Sequence, residues 1–313
     1  MGPVNRRTFM QRALATCVAG SVRSSEALSS APLNPSLPAP RMGTVAKVGA
    51  DGTADATIKR VHDLGLPTCQ IFFERLSLQQ VSPLRAALKK YGVEVSAVSE
   101  HNPGRRVFDF YQGPLTIGII PPENRRARID ALKLAADFAH ACDIPSIHTH
   151  LGFIPEDPND PIYPVAIAAI KEVAQHCKEQ GRMLLCETGE ETPVTMLRMI
   201  QDVATGNVFV NLDTANLILY GKGNPVDAMD VFGHLVRGTH AKDGLFPTDP
   251  RNLGKEVPIG KGRVDFPVLF RRLKEANYTS TITIEREIEG PRQVEDILQS
   301  KVFLQNLIDQ TYR

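Results

Sequence analysis

The sequence is poor in the features that would point to a nucleic acid, a membrane surface or a thiolate metal cluster. Its 36 Lys and Arg nearly cancel its 35 Asp and Glu, leaving a formal net charge of +1 over 313 residues. That balance gives no electrostatic footing for a polyanion or an anionic membrane. Five cysteines occur, none in a CxxC spacing, so a zinc cluster of thiolates is not supported. Cys69 and Cys186 fall in strand-like runs, and Cys142 and Cys177 fall in or beside helical ones, which makes buried thiols the default. Tryptophan is absent, which excludes nothing. No GxGxxG pattern follows the first strand-like run; the turn there reads Lys47-Val48-Gly49-Ala50-Asp51-Gly52, against a dinucleotide-binding open sheet. What remains is a 42% hydrophobic chain of single-domain size.

The first 40 residues read as a targeting segment and linker, with the folded domain over residues 41–313. Asn5-Arg6-Arg7-Thr8-Phe9-Met10-Gln11 is similar to a twin-arginine export signal. The apolar run Ala13–Val22 is too short to span a bilayer and has the size of a signal-peptide core. Residues 24–40 are rich in Ser, Pro and Ala, as a cleavage region and flexible linker would be. The expected location is therefore the periplasm or beyond, with no stable membrane insertion after cleavage.

From Arg41 onward strand-like and helix-like segments alternate. Strands are expected near 42–48, 68–73, 93–99, 146–151, 182–187, 207–213, 235–240 and 279–285. Segments such as RIDALKLAADFAHAC and FPVLFRRLKEANY between them carry apolar residues at three- and four-residue spacing, and VEDILQSKVFLQNLIDQ closes the eighth unit. Eight strand–helix units in roughly 270 residues match a single (β/α)8 TIM barrel. Four successive apolar runs, RMLLCE, NVFVNLD, HLVRGTH and TSTITIE, end on Glu187, Asp213, His240 and Glu285. Each run reads as a buried parallel strand, and each terminal residue is costly to bury unless paired or coordinated. If the strands close a barrel, the four meet at its C-terminal mouth. Three carboxylates and an imidazole suit one divalent ion, Mn2+ first, with Mg2+, Co2+ or Zn2+ as alternatives. The longest loops, 101–124, 152–164 and 242–265, stand over the same mouth. Arg105, Arg106, Phe108, Phe110 and Tyr111 are candidates for a lid or a substrate wall.

Leu185-Cys186-Glu187-Thr188, Asn211-Leu212-Asp213-Thr214-Ala215-Asn216, His240-Ala241-Lys242-Asp243-Gly244 and Gly260-Lys261-Gly262-Arg263-Val264-Asp265-Phe266, followed by Ile284-Glu285, resemble the sugar phosphate isomerase/epimerase family of xylose-isomerase-like TIM barrels. The resemblance runs from Arg41 to the end. It implies that Glu187, Asp213, His240 and Glu285 bind one divalent metal, and that Glu187 and Glu285 double as acid/base groups on opposite faces of a sugar. The metal would polarise a carbonyl and stabilise an enediolate, from which a positioned carboxylate gives isomerisation, epimerisation or loss of a β-hydroxyl.

Three departures count against a ketohexose 3-epimerase. Such enzymes carry a His three residues after the metal Asp, a Glu six residues after the first Glu, and an Arg six residues after the metal His. This chain has Asn216, Pro193 and Phe246. His240-Ala241-Lys242-Asp243 instead resembles the HxKD segment of inosose dehydratases. Candidate substrate contacts are His150, Asn216, Lys242 and His101; Glu100 lies beside His101. Of Glu190 and Glu191, at least one is expected in solvent.

The leading expectation is a metal-dependent isomerase or epimerase of an unphosphorylated sugar or keto-sugar. A dehydratase or lyase acting on a keto-inositol or 3-keto-glycoside is the alternative. The endonuclease-like branch of the barrel needs further His and Asp ligands and a basic face, neither evident; a non-catalytic binding protein would keep the pocket and tolerate loss of either glutamate. Small-molecule sugars are the expected partners, with homo-oligomerisation left open. Replacing Arg6 and Arg7 together by Lys should hold the protein in the cytoplasm, as read by cell fractionation. Unchanged export would mean that the arginine pair is no signal.

Overall fold

Strand-forming runs in which both faces are apolar can be satisfied only between a second apolar layer and a filled interior, and the chain folds that way. The computed structural model describes residues 37–313. Arg6, Arg7, Cys17 and most of the expected linker lie outside the described residues. In chain order the strands are β1 (Arg41–Val48), β2 (Thr68–Phe73), β3 (Glu94–Ser99), β4 (Ser146–Thr149), β5 (Met183–Glu187), β6 (Val208–Asp213), β7 (Val236–Ala241), β8 (Asp243–Leu245), β9 (Lys255–Val257) and β10 (Thr281–Ile284). Eight of them close a barrel in the order β1-β10-β7-β6-β5-β4-β3-β2, and every barrel pairing is parallel. The (β/α)8 expectation holds, with strand limits within a residue or two of those read from the sequence.

Two differences bear on the site. β4 ends two residues early and β10 one, so His150 and Glu285 sit just past their strands, on the first residues free to turn toward the mouth. The 242–265 segment, expected as a plain loop, contains the antiparallel ribbon β8–β9, paired Asp243 to Val257 and Leu245 to Lys255.

The helices start where side chains can replace missing backbone partners. Thr53 caps helix Ala54–Asp63 by accepting from the Ala56 amide at 3.2 Å, and Asn224 accepts from Val226 and Asp227 at the start of Pro225–Phe232. Prolines occupy the first turn of both Pro193–Val203 and Pro225–Phe232, where the missing N–H costs nothing. Helix Arg125–Cys142 buries Ile129, Leu132, Ala135, Ala136 and Ala139 on one stripe, and Phe138 besides. Phe138 meets Phe73 of β2 edge to face, with ring centroids 5.3 Å apart.

Cys69, Cys142, Cys177 and Cys186 are all buried free thiols; burial pushes Cys69 up to about 12, so these groups pack rather than react. None of the described helices is long and apolar enough to cross a membrane. Phe138 is fully buried, so Phe138→Ala should cost about 3–5 kcal/mol. The urea midpoint should fall with little change in slope; a loss below about 1 kcal/mol would show that the barrel–helix layer repacks around the cavity.

Candidate active site

Because all barrel strands are parallel, the residues that end them share one mouth. Glu187 ends β5, Asp213 ends β6, His240 lies one residue before the end of β7, and Glu285 follows β10. One ligand atom from each of the four lies within 4.8 Å of every other. His240 Nδ1 is the hub: it is 3.2 Å from Glu187 Oε1, 3.3 Å from Glu285 Oε2 and 3.8 Å from Asp213 Oδ2. Donor atoms held about 2.0–2.4 Å from a common ion lie about 3–4.5 Å apart, so the spacing fits.

Two further observations fit a cation. Asp213 Oδ1 accepts from the amides of Ala215 and Asn216 at 2.8 and 2.7 Å, while Oδ2 is buried with no hydrogen-bond partner. Burial, with Glu285 and Glu187 close by, pushes the Asp213 carboxyl well up, although Lys242 opposes this. Crowded buried carboxylates with one orphaned oxygen are relieved by a positive ion.

The ring of His240 is held from behind. Its Nε2 lies 2.8 Å from Gln70 Oε1, and Gln70 Nε2 donates to Asn211 Oδ1 at 2.8 Å. Since Gln70 Oε1 only accepts, one proton sits on Nε2. Against the cost of burial, Glu285 and Glu187 hold the imidazole charged well above its ordinary value, so Nδ1–H points at the carboxylates; a metal ion bound there would take the place of that proton. A Cβ at Gly238 would collide with the Asn211 side-chain oxygen, so glycine keeps this brace in place.

Glu187 uses its two oxygens differently. Oε1 accepts from Asn216 Nδ2 at 3.0 Å and faces His240. Oε2 faces His148 Nε2 at 2.7 Å and His150 Nε2 at 3.1 Å. His148 is braced by Ser99, whose Oγ is 2.9 Å from Nδ1. His150 Nδ1 lies 2.9 Å from Glu190 Oε1. Burial alone would depress His150, but Glu187 and Glu190 overcome it and hold the imidazolium up to about 10. His101 has its rings 5.6 and 5.4 Å from those of His148 and His150, and burial drives it well below its ordinary value, so it is neutral.

These groups border a cavity of about 220 Å³ that reaches from Val45 and Phe72 to Glu187, His240 and Glu285. His101, His148 and His150 line it. Glu100 does as well, its carboxyl raised to about 7 by burial against the opposing pull of the Asn102 amide. Lys242 and Asn216 are brought to the cluster but contact its carboxylates. Lys242 Nζ is 3.1 Å from Glu285 Oε2, 3.0 Å from Glu287 Oε2 and 3.3 Å from Asn216 Oδ1. Of the lid candidates, Arg106 and Phe108 line the cavity, Arg105 bonds Gln112, and Tyr111 is exposed with Arg251 over its ring at 5.0 Å. Glu190 and Glu191 are both buried at 1% exposure, contrary to the expectation that one is solvated, because the turn after β5 folds inward over His150.

His148, Gln70 and Asn211 were not singled out from the sequence. The signal was strand alternation: His148 is two residues before His150, and Asn211 two before Asp213. Asp243 follows Lys242 in the HxKD segment, where nothing local marks its structural role. Its buried carboxylate accepts from the amides of Gly244, Gly260, Gly262 and Val264 at 2.8–3.2 Å, folding the 260–264 turn against β8.

The chain belongs to the xylose isomerase-like TIM barrel family, whose model matches residues 58–307. An uncharacterized protein of Methanocaldococcus jannaschii is 21% identical over 198 residues, 59% of this chain and 64% of that protein. The chain thus spans under two thirds of that relative's length. The crystal structure of a xylose isomerase domain protein from Planctomyces limnophilus superposes with a TM-score of 0.80 at 28% identity, covering 87% of this chain and 99% of that one. The 3-keto-D-glucoside 4-epimerase of E. coli shares the fold at a TM-score of 0.64 and 15% identity, over 85% of this chain and 99% of its own.

Asp243→Ala removes four acceptor contacts at once, so the 260–264 turn should loosen. Limited proteolysis should cut near Lys261 or Arg263 at least several-fold faster than in the parent, with circular dichroism unchanged. Equal cutting rates would mean that the ribbon and turn hold their shape without the carboxylate.

Proposed function

We propose that this chain is a divalent-metal-dependent isomerase or epimerase of an unphosphorylated sugar or keto-sugar. The observation that carries the proposal is the convergence of Glu187, Asp213, His240 and Glu285 around one point, with Asp213 Oδ2 left unpartnered. These four residues would hold the ion. When bound, a divalent ion polarises a substrate carbonyl and stabilises negative charge beside it. Mn2+ suits the three carboxylates and one imidazole, and Mg2+, Co2+ and Zn2+ are the competitors in a metal analysis.

The protein's own groups divide the remaining work. Glu187, whose Oε2 faces the cavity histidines His148 and His150, would take a proton from the carbon next to the carbonyl. Glu285 lines the same cavity from β10's side and is the second acid/base group. Lys242 stays beside Glu285 and Glu287, which keeps the Glu285 carboxylate oriented. His101, His150 and Arg106 supply polar contacts for hydroxyls along the cavity wall. Export through the Arg6-Arg7 segment would place the enzyme away from cytosolic phosphosugars, in line with a neutral substrate.

Glu187→Gln and Glu285→Gln keep a coordinating oxygen but lose the base. Each should lower turnover by about 10²–10⁴ while metal analysis still finds ion bound, more weakly. Proton exchange from a keto-sugar in heavy water, without loss of water, supports the isomerase or epimerase reading; an enone or diketone product assigns a dehydratase or lyase instead. Parent-like turnover in both metal-loaded variants would leave the glutamates as ligands only.

A further inference from the structure

The pairing of β1 with its two neighbours stops at different heights. Against β10 it ends at Thr44–Ile284, while against β2 it continues through Val48–Phe73. Above Thr44 the β1–β10 pairing ends, and the Glu285 amide bonds the Ala241 carbonyl of β7 at 3.1 Å, as strand alternation directs. The unpaired stretch is a slot in the backbone pairing of the barrel, with Val45 and Lys47 on one side and Glu285 and Glu287 on the other. Those four residues line both the inner cavity and a second cavity of about 450 Å³ outside the slot.

The outer cavity lies between helix Ala54–Asp63 and the start of helix Pro291–Tyr312. Its walls mix neutral donors and acceptors (Thr53, Thr57 and Gln293) with apolar Ala56 and Ile297. Its cations have partners: Arg286 is paired with Glu256 and Asp296 at 2.8 Å, Lys47 lies 3.8 Å from Glu74, and Arg60 bonds the Gln293 amide oxygen at 2.8 Å. Such a surface suits an uncharged polyol ring, with hydroxyls for the polar groups and a C–H face for Ala56 and Ile297, better than a phosphate. Size points the same way. The inner cavity at about 220 Å³ is below the ~300–1,000 Å³ of ordinary ligand sites, and the two joined fall inside it.

We infer that the outer cavity is a binding subsite for a second, uncharged sugar unit, so that the substrate is a glycoside or disaccharide whose reacting ring sits beside Glu187 and Glu285 and whose other ring passes through the slot between Lys47 and Glu287. The inference rests on the sugar-processing reading of the inner site.

The test uses the full chain loaded with Mn2+, and compares glucose with cellobiose by calorimetry and by saturation-transfer NMR. Cellobiose should bind roughly tenfold more tightly, a gain of about 1.4 kcal/mol. Ala56→Trp, at an exposed helix position that bulk can enter without disturbing the core, should erase the preference while leaving glucose binding unchanged. Arg60→Ala adds no bulk and should weaken cellobiose alone by a smaller factor, which guards against a folding defect in the first variant. Equal affinities for the two sugars, or a preference that survives Ala56→Trp, overturns the subsite. Binding of neither sugar overturns the subsite and the sugar reading together. Cellobiose preference without proton exchange from oxidised, keto-bearing cellobiose keeps the subsite and sinks only the proposed reaction.

Discussion

Three carboxylates brought within a few ångströms of one another in a buried place repel, and the rest of the mouth is organised around that repulsion. Two basic side chains answer it within the protein. His240 turns Nδ1 toward Glu187, Asp213 and Glu285, and Lys242 sets its amine against Glu285 and Glu287. Neither reaches Asp213 Oδ2 at hydrogen-bond distance; the shorter approach is 3.7 Å, from Lys242. The deficit is local, at one oxygen, and the divalent ion proposed for the site would remove it without adding bulk. The brace behind His240 follows from the same need. A histidine that swung away would leave the carboxylates to each other, and Gln70, Asn211 and the missing side chain at Gly238 prevent it.

Glu187 shows how one carboxylate can serve two purposes. Its Oε1 belongs to the cluster through His240 and Asn216, and its Oε2 belongs to the cavity through His148 and His150. The two histidines are tied down in turn, by Ser99 and by Glu190. Orientation is thus imposed on Glu187 from outside, which in the proposed reaction would lower the reorganisation needed when charge moves. The burial of Glu190 and Glu191 is intelligible in that light. Glu190 is brought under the mouth by its contacts with His150 and with the Tyr220 hydroxyl, at 3.3 Å, where solvent would have left His150 free to turn.

Much of this was legible because a parallel barrel converts sequence order into position. A continuous apolar run that ends on a carboxylate or imidazole becomes a residue at the C-terminal mouth, so Glu187, Asp213, His240 and Glu285 could be placed before any coordinates. What was hidden is contact between side chains of distant strands. Nothing local in TCQIFF says that Gln70 will meet His240, 170 residues later. Lys242 and Asn216 are candidate substrate contacts by resemblance to the family; that they also meet the carboxylates depends on the turn each makes after its strand. Glu190 and Glu191 misled for the converse reason: a polar GEE sequence looks like solvent-facing loop, whereas Glu190 turns inward to His150 and the Tyr220 hydroxyl, and burial pushes the Glu191 carboxyl well up.

The barrel's closure is uneven, and that unevenness shapes what it can hold. A barrel whose strands paired to equal height would present one round mouth with loops as its only walls. Here β10 is a short strand of four residues beside an eight-residue β1. Its pairing with β1 ends at Ile284, and Glu285, the next residue, bonds β7 and turns its carboxylate to His240 and Lys242. The residue that brings the third carboxylate to the cluster is thus also the first beyond the β1–β10 pairing, so the centre of the site and the unpaired stretch beside β1 adjoin in the fold.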